Sequence, residues 1–340
     1  MADSATGEAP AGQTAETIHV AAAPHVSDRR LTTRRMMLDV LIGLLPVAVA
    51  ALAVFRGYAA KQMAICVVCC VAAEAVFGAM RRRPVSVGDL SAVVTGLILA
   101  FSLPGTAPWY VGAIGSFVAI GIGKAAFGGL GQNIFNPAMV GRAFVMVCFA
   151  TLMGASAYVD PHSTINVVTQ ATPLTAARQL SADAGPQWST LLAEFLGNTN
   201  GSLGETSALA CLVGGLYLCL RRSASWQIPV GVLVTATVIG VLGDLIHPQH
   251  PLTVLHHLTG GALMLGAFFI ATDPVTSPLT PKGKFIFGAG LGALVMLMRA
   301  YSGYPESVMF SVLLMNSVVP LINRATIPRP VGGPVVRKKA

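Results

Sequence analysis

From Met36 onward the chain is written largely in apolar runs of about 20 residues, each long enough as a helix to cross a hydrocarbon core of roughly 30 Å. Within lipid every backbone donor and acceptor must be satisfied by the protein itself, which leaves helices or a closed barrel. The ten-residue alternation of barrel strands is absent. The expected fold is therefore all-α, a polytopic helical membrane protein of about ten transmembrane helices. The runs lie near 36–55, 61–79, 88–103, 109–126, 137–155, 203–220, 226–246, 255–271, 284–299 and 306–323. Charged residues make up 11% of the 340, against about 25% in soluble domains, which fits a chain bathed mostly in membrane lipid.

The net charge of +8 calls for no nucleic-acid partner, because most of the excess flanks span ends. Arg29, Arg30, Arg34 and Arg35 precede the first span, and Arg81, Arg82 and Arg83 follow the second. Lys124 and Arg142 bound the 4–5 connection, Arg221 and Arg222 follow the sixth span, and Lys282 and Lys284 follow the eighth. Lys and Arg accumulate on the cytoplasmic side, so both termini are expected there, with Arg56, Lys61 and Arg299 opposing. Residues 1–30 read as a disordered cytoplasmic tail without a signal peptide, 31–324 as a single transmembrane domain, and 325–340 as a basic tail. This orientation puts the long polar connection 156–202 outside. Loops of that length are uncommon unless functional.

Two span starts resemble each other, Ser86-Val87-Gly88-Asp89-Leu90-Ser91-Ala92 and Ser202-Leu203-Gly204-Glu205-Thr206-Ser207-Ala208, followed by Trp109 and Trp226. Three spans separate them, so the copies would run in opposite directions, as in the inverted repeats of transporters. Recurrence of small residues that pack membrane helices is the other reading.

Three polar segments interrupt the spans. In the first, Gly128 to Met139, a glycine-rich turn leads to Pro137 at a helix start, with Asn133 and Asn136 as amides beside the helix N-terminus. Either they cap a re-entry turn or they meet a polar ring edge or an anion. The second, Phe268 to Gly283, carries Pro274, Pro278 and Pro281 with the oxygens of Thr272, Asp273, Thr276 and Ser277. A carboxylate at a span edge is a functional candidate, and the alternative is a helix cap. In the third, Arg299 and Glu306 could pair or touch a ligand. Asp39, Asp89, Glu74, Glu205 and Asp244 could mark an ion path or cap span ends. The six cysteines form no disulfide framework, and the seven histidines match no metal-ligand spacing.

Taken in order, GGLGQNIFNPAMVGRAF (128–144), TQATPLTAAR (169–178), NGSLGETSALA (200–210), FFIATDPVTSPLTPKGKFIFG (268–288) and GYPESVMFSVLLMNSVVPLI (303–322) resemble the RnfD family, membrane components of the Rnf-type ion-translocating electron-transport complex. That family is similar to NqrB of the sodium-translocating NADH:quinone reductase. The resemblance runs from about Pro24 to about Ile322. It implies ten helices of urea-transporter-like architecture and an FMN joined through its phosphate to a threonine, here Thr172, flanked by Ala171 and Pro173. A separate flavin transferase makes that bond. The attachment motif usually has Gly or Ser where this chain has Gln170, and an acid closer than Asp160.

A second, noncovalent riboflavin is associated with related proteins, and Asn133, Asn136, Thr272 and Asp273 are its candidate lining. The family implies an inner-membrane component of a bacterial ion-translocating oxidoreductase that couples ferredoxin and NAD redox chemistry to Na⁺ or H⁺ movement. Its partners would be the other subunits of the complex, one carrying a second flavin. Without the resemblance, a small-solute channel or secondary transporter fits the same broken helices and repeats.

Overall fold

The computed structural model describes residues 32–82, 87–153, 188–197, 201–246, 253–302 and 307–328. Both tails and most of the 156–202 connection, with Thr172, lie outside these residues. All regular structure among the described residues is helical, apart from one isolated bridge pairing Pro104 with Ser202.

Five helices are long and apolar enough to cross a membrane: α1 (Thr33–Phe55), α2 (Gly57–Met80), α9 (Gln227–Ile246), α12 (Pro281–Tyr301) and α13 (Val308–Thr326). The other expected spans are shorter or broken. They comprise α3 (Ser91–Ser102), α4 (Trp109–Ile120), α5 (Pro137–Cys148) with α6 (Ala150–Met153), α8 (Ala208–Leu220), and the pair α10 (Val254–Thr259) and α11 (Leu263–Leu265). A surface helix, α7 (Trp188–Leu196), precedes α8.

Each shortening has a local cause. Leu103 and Ser207 are extended, residues 203–205 form a turn ahead of α8, and Gly260 with Gly261 divides the eighth span. At two places the helix widens into a π-turn, Gly121–Ala125 after α4 and Gly266–Ile270 after α11. There Ala126 N–H reaches Gly121 O at 2.9 Å and Ala271 N–H reaches Gly266 O at 2.8 Å. Such widened turns recur at functional sites.

The two similar segments do run oppositely. The start of α3 and the end of α8 line one cavity, while the end of α3 meets the residues preceding α8. There, Leu203 N–H donates to Leu103 O at 3.1 Å and Gly204 N–H to Phe101 O at 2.7 Å. Non-helical backbone inside the bundle thus finds its partners in the opposite repeat, as lipid burial demands. A Cβ on Gly204 would fall 2.7 Å from Leu265 Cδ2 and 2.9 Å from Phe101 Cβ.

Small residues bring helices close elsewhere, as expected where apolar burial alone gives no preference for one helix over lipid. At the α1–α8 crossing a Cβ on Gly214 would overlap the carbonyl of Gly43. Gly214→Ala is expected to cost about 1–3 kcal/mol by overpacking. A lowered Tm of the purified complex, without loss of its subunits, is the measurement that checks it.

Candidate functional site

The starts of α1, α3 and α5 and the ends of α4 and α8 gather at one end of the bundle around a void of about 70 Å³. Its wall includes Ser91, Lys124, Asn133, Asn136, Thr272 and Asp273. Asn133, Asn136, Thr272 and Asp273 come from the two polar segments singled out in the sequence, and the fold brings all four together.

The segments meet because each follows a π-turn and ends in a capped helix start. Asn136 is the N-cap of α5: its Oδ1 accepts from Ala138 N–H at 3.1 Å and Met139 N–H at 3.4 Å, with Pro137 next. Its Nδ2 donates to Ile270 O at 3.2 Å, the last residue of the other π-turn. Thr280 caps α12 in the same way, accepting from Gly283 N–H at 3.0 Å before Pro281.

Asn316 of α13, 1% exposed, closes the junction. With its amide oriented to satisfy both neighbours, it donates to Thr276 O at 3.3 Å and accepts from Asn136 N–H at 3.0 Å. Sequence reasoning missed this residue. An Asn in an otherwise apolar span, Met315-Asn316-Ser317, was the available signal. Asn136→Ala removes a cap and the tie to Ile270, and is expected to destabilise by about 1–3 kcal/mol. Thermal unfolding of the purified complex followed by tryptophan fluorescence reads that loss.

The remaining candidates are committed to different degrees. Thr272 donates its hydroxyl to Phe268 O at 2.6 Å, closing the π-turn. Asp273 accepts from Val275 N–H at 3.2 Å and Thr276 Oγ1 at 3.1 Å, so it organises the break as the capping alternative requires. Loss of solvent raises its carboxyl pKa, and these two donors oppose the rise. Asn133 donates to Phe135 O at 3.2 Å, but its Oδ1, buried, accepts no hydrogen bond from the described residues. The cavity therefore has one free acceptor and a nearby carboxylate.

A void of 70 Å³ has room for a few water molecules. Sites for drug-sized ligands run from about 300 to 1,000 Å³, so a tricyclic flavin ring does not fit this wall as it stands.

Other acids are engaged as well. Asp39 of α1 accepts from Ser223 Oγ at 2.7 Å and lies 3.4 Å from Arg221 Nη2. Asp89 receives Ser91 N–H at 2.8 Å at the start of α3, and Asp244 receives Val254 N–H at 3.0 Å. At the opposite end, Arg299 donates to His257 O and Gly260 O, at 2.5 and 2.9 Å, holding the broken eighth span against α12. Glu306, its expected partner, is outside the described residues. Glu194 of α7 accepts from Thr259 Oγ1 at 2.8 Å, tying that surface helix to α10.

Paired short helices running oppositely, two π-turns and, at their junction, a largely apolar cavity with a few polar groups in its wall define a membrane protein of the broken-helix, repeat-built kind. Residues 19–332 match the model of the NQR2, RnfD, RnfE family, and the chain belongs to that family. It is 43% identical to its counterpart in the Na(+)-translocating ferredoxin:NAD(+) oxidoreductase complex of Acetobacterium woodii, over 94% of this chain and 97% of that one. It is 40% identical to the counterpart in the proton-translocating ferredoxin:NAD(+) oxidoreductase complex of Clostridium ljungdahlii, over 91% and 94% of the two chains. The counterpart in the ion-translocating oxidoreductase complex of Cronobacter sakazakii is 38% identical, over 92% and 98%.

Proposed function

We propose that this chain is the RnfD component of an Rnf-type ion-translocating ferredoxin:NAD⁺ oxidoreductase of a bacterial inner membrane, and that it relays electrons through an FMN held on Thr172. End-to-end likeness to components of such complexes carries the first half of this reading, since nearly the full length of each relative is matched. The attachment motif carries the second half: Ala171-Thr172-Pro173-Leu174 retains the acceptor hydroxyl and its immediate neighbours, with Gln170 the departure. The flavin, when bound, supplies one- and two-electron chemistry that no side chain offers. The protein's share is to fix where the ring sits, and a phosphoester to Thr172 prevents its diffusion.

Arg81, Arg82, Arg221, Arg222, Lys282 and Lys284 belong to the end that bears the cavity, whereas Arg56, Lys61 and Arg299 lie toward the other. By the excess of cations the cavity end is cytoplasmic and both termini are inside. The connection that carries Thr172 then faces outward, where a flavin-bearing neighbour can exchange electrons with it. A flavin transferase completes the chain before or during assembly.

The two relatives differ in their ion, sodium for one and protons for the other, at nearly equal identity. Overall likeness thus does not select the ion; individual groups must.

Mass spectrometry of the peptide spanning residues 160–188, from the complex purified out of its own membranes, tests the reading. A mass increment of one FMN on Thr172 is expected. An unmodified peptide from a working complex overturns the electron-relay half and leaves the family membership standing.

A further inference from the structure

Beside the site described above lies a buried charge that the proposed electron relay does not use. Lys124, 4% exposed, is carried into the bundle by the π-turn Gly121–Ala125. Its Nζ donates to Glu74 Oε1 of α2 at 2.6 Å and to Ser91 Oγ of α3 at 2.6 Å. Ser91 in turn donates its hydroxyl to Asp89 Oδ1 at 2.6 Å. Lys124 is also where two cavities meet. The smaller is the 70 Å³ void, which Ser91 lines; the larger, about 290 Å³, is lined by Glu74, Phe77, Arg81, Gly128 and Gly129. Lys124 is in the wall of both.

We propose that Glu74, Lys124, Ser91 and Asp89 form a proton relay leading from the larger cavity, past the wall of the smaller one at Ser91, to Asp89, and that metal cations are excluded from this passage. The proposal rests on the reading that the complex moves an ion. From Lys124 onward the donors point one way, Lys124 to Ser91 and Ser91 to Asp89, whereas the bond to Glu74 runs from Lys124 and must reverse once Glu74 is protonated. The Lys124 ammonium gives a proton to Ser91 Oγ as Ser91 gives its own to Asp89, leaving a neutral amine and a protonated Asp89. Glu74, protonated from the larger cavity, then passes that proton to the amine. One proton has moved from the larger cavity to Asp89, no electron has moved, and Glu74 and Lys124 are again a carboxylate and an ammonium.

A sodium ion would have to displace the ammonium from the oxygens it needs, against the repulsion of a like charge within a few ångströms. That repulsion is severe where water is excluded. The other titratable groups that face the relay are Arg81 on the larger cavity, Asp273 on the smaller, and Cys70, one turn before Glu74 on α2.

Lys124→Arg separates a relay from a structural ion pair. Arginine keeps the charge and the hydrogen bonds but does not surrender a proton in proteins. The whole complex is placed in vesicles and driven by reduced ferredoxin and NAD⁺, with a sodium ionophore present, while an internal dye reports pH. Wild type is expected to move protons with turnover, and Lys124→Arg to lower the protons moved per electron by about tenfold or more. Ser91→Ala, which removes one oxygen and no charge, is the second variant should the larger guanidinium prevent assembly, and the same fall is expected. A wild-type proton-to-electron ratio in either assembled variant overturns the relay, as does a wild-type complex that moves no protons under the ionophore. Failure of the underlying reading looks different: the wild-type complex then passes no electrons from ferredoxin to NAD⁺.

Discussion

Thr172→Ala is expected to yield a complex that inserts and assembles but carries no covalent flavin on this chain, with ferredoxin-driven NAD⁺ reduction lost. The hydroxyl is the only atom through which the phosphoester forms, so the effect on attachment is complete rather than graded. The fluorescent band expected of wild type after denaturing electrophoresis should disappear, with the chain present at wild-type abundance. Thr172→Ser keeps an oxygen and is expected to restore part of the band. A Thr172→Ala chain that retains covalent flavin moves the attachment elsewhere and refutes the assignment. A channel for small solutes would show no flavin in either form and would conduct its solute without ferredoxin.

Lys124→Met is expected to be the most damaging single change within the bundle. It leaves the Glu74 carboxylate buried without its ammonium partner, and breaking one side of such a pair costs about 3–5 kcal/mol. That is a large share of the roughly 5–15 kcal/mol that holds a folded protein together. The complex should show a sharply lowered Tm or fail to accumulate. The double variant Glu74→Gln with Lys124→Met removes both charges and is expected to recover most of the stability, since a buried pair replaced as a unit costs far less than one broken. A Lys124→Met complex with wild-type Tm would show that the pair contributes nothing to stability.

Much of the architecture was legible because lipid permits so few solutions. Apolar length marked the spans, and Pro137 marked a helix start that the structure places where Asn136 caps it. The opposed copies were visible in Ser86–Ala92 and Ser202–Ala208, since a repeat separated by an odd number of spans must invert.

Hydropathy did not reveal where helices break. Residues 88–103 and 203–220 read as uninterrupted runs, yet α3 and α8 occupy only Ser91–Ser102 and Ala208–Leu220. An apolar residue in an extended segment and one in a helix score alike, and the partner that satisfies the extended backbone lies far along the chain. The junction of Asn133, Asn136, Thr272 and Asp273 was legible as two separate polar segments. Their meeting was not, because it depends on Asn316 and on π-turns that no local pattern announces. Lys124 looked like one more cation at a span end. Only the third dimension sets it between Glu74 and Ser91.

The exchange of backbone bonds between Phe101, Leu103, Leu203 and Gly204 bears on how the molecule is made. When ribosomal synthesis has delivered the first half to the bilayer, the carbonyls of Phe101 and Leu103, in the last turn of α3 and just beyond it, lack these partners, and lipid offers none. They wait for a segment still unsynthesised. Neither half is thus able to mature alone, and a gene cut between them should give products that survive only when both are made together in one cell.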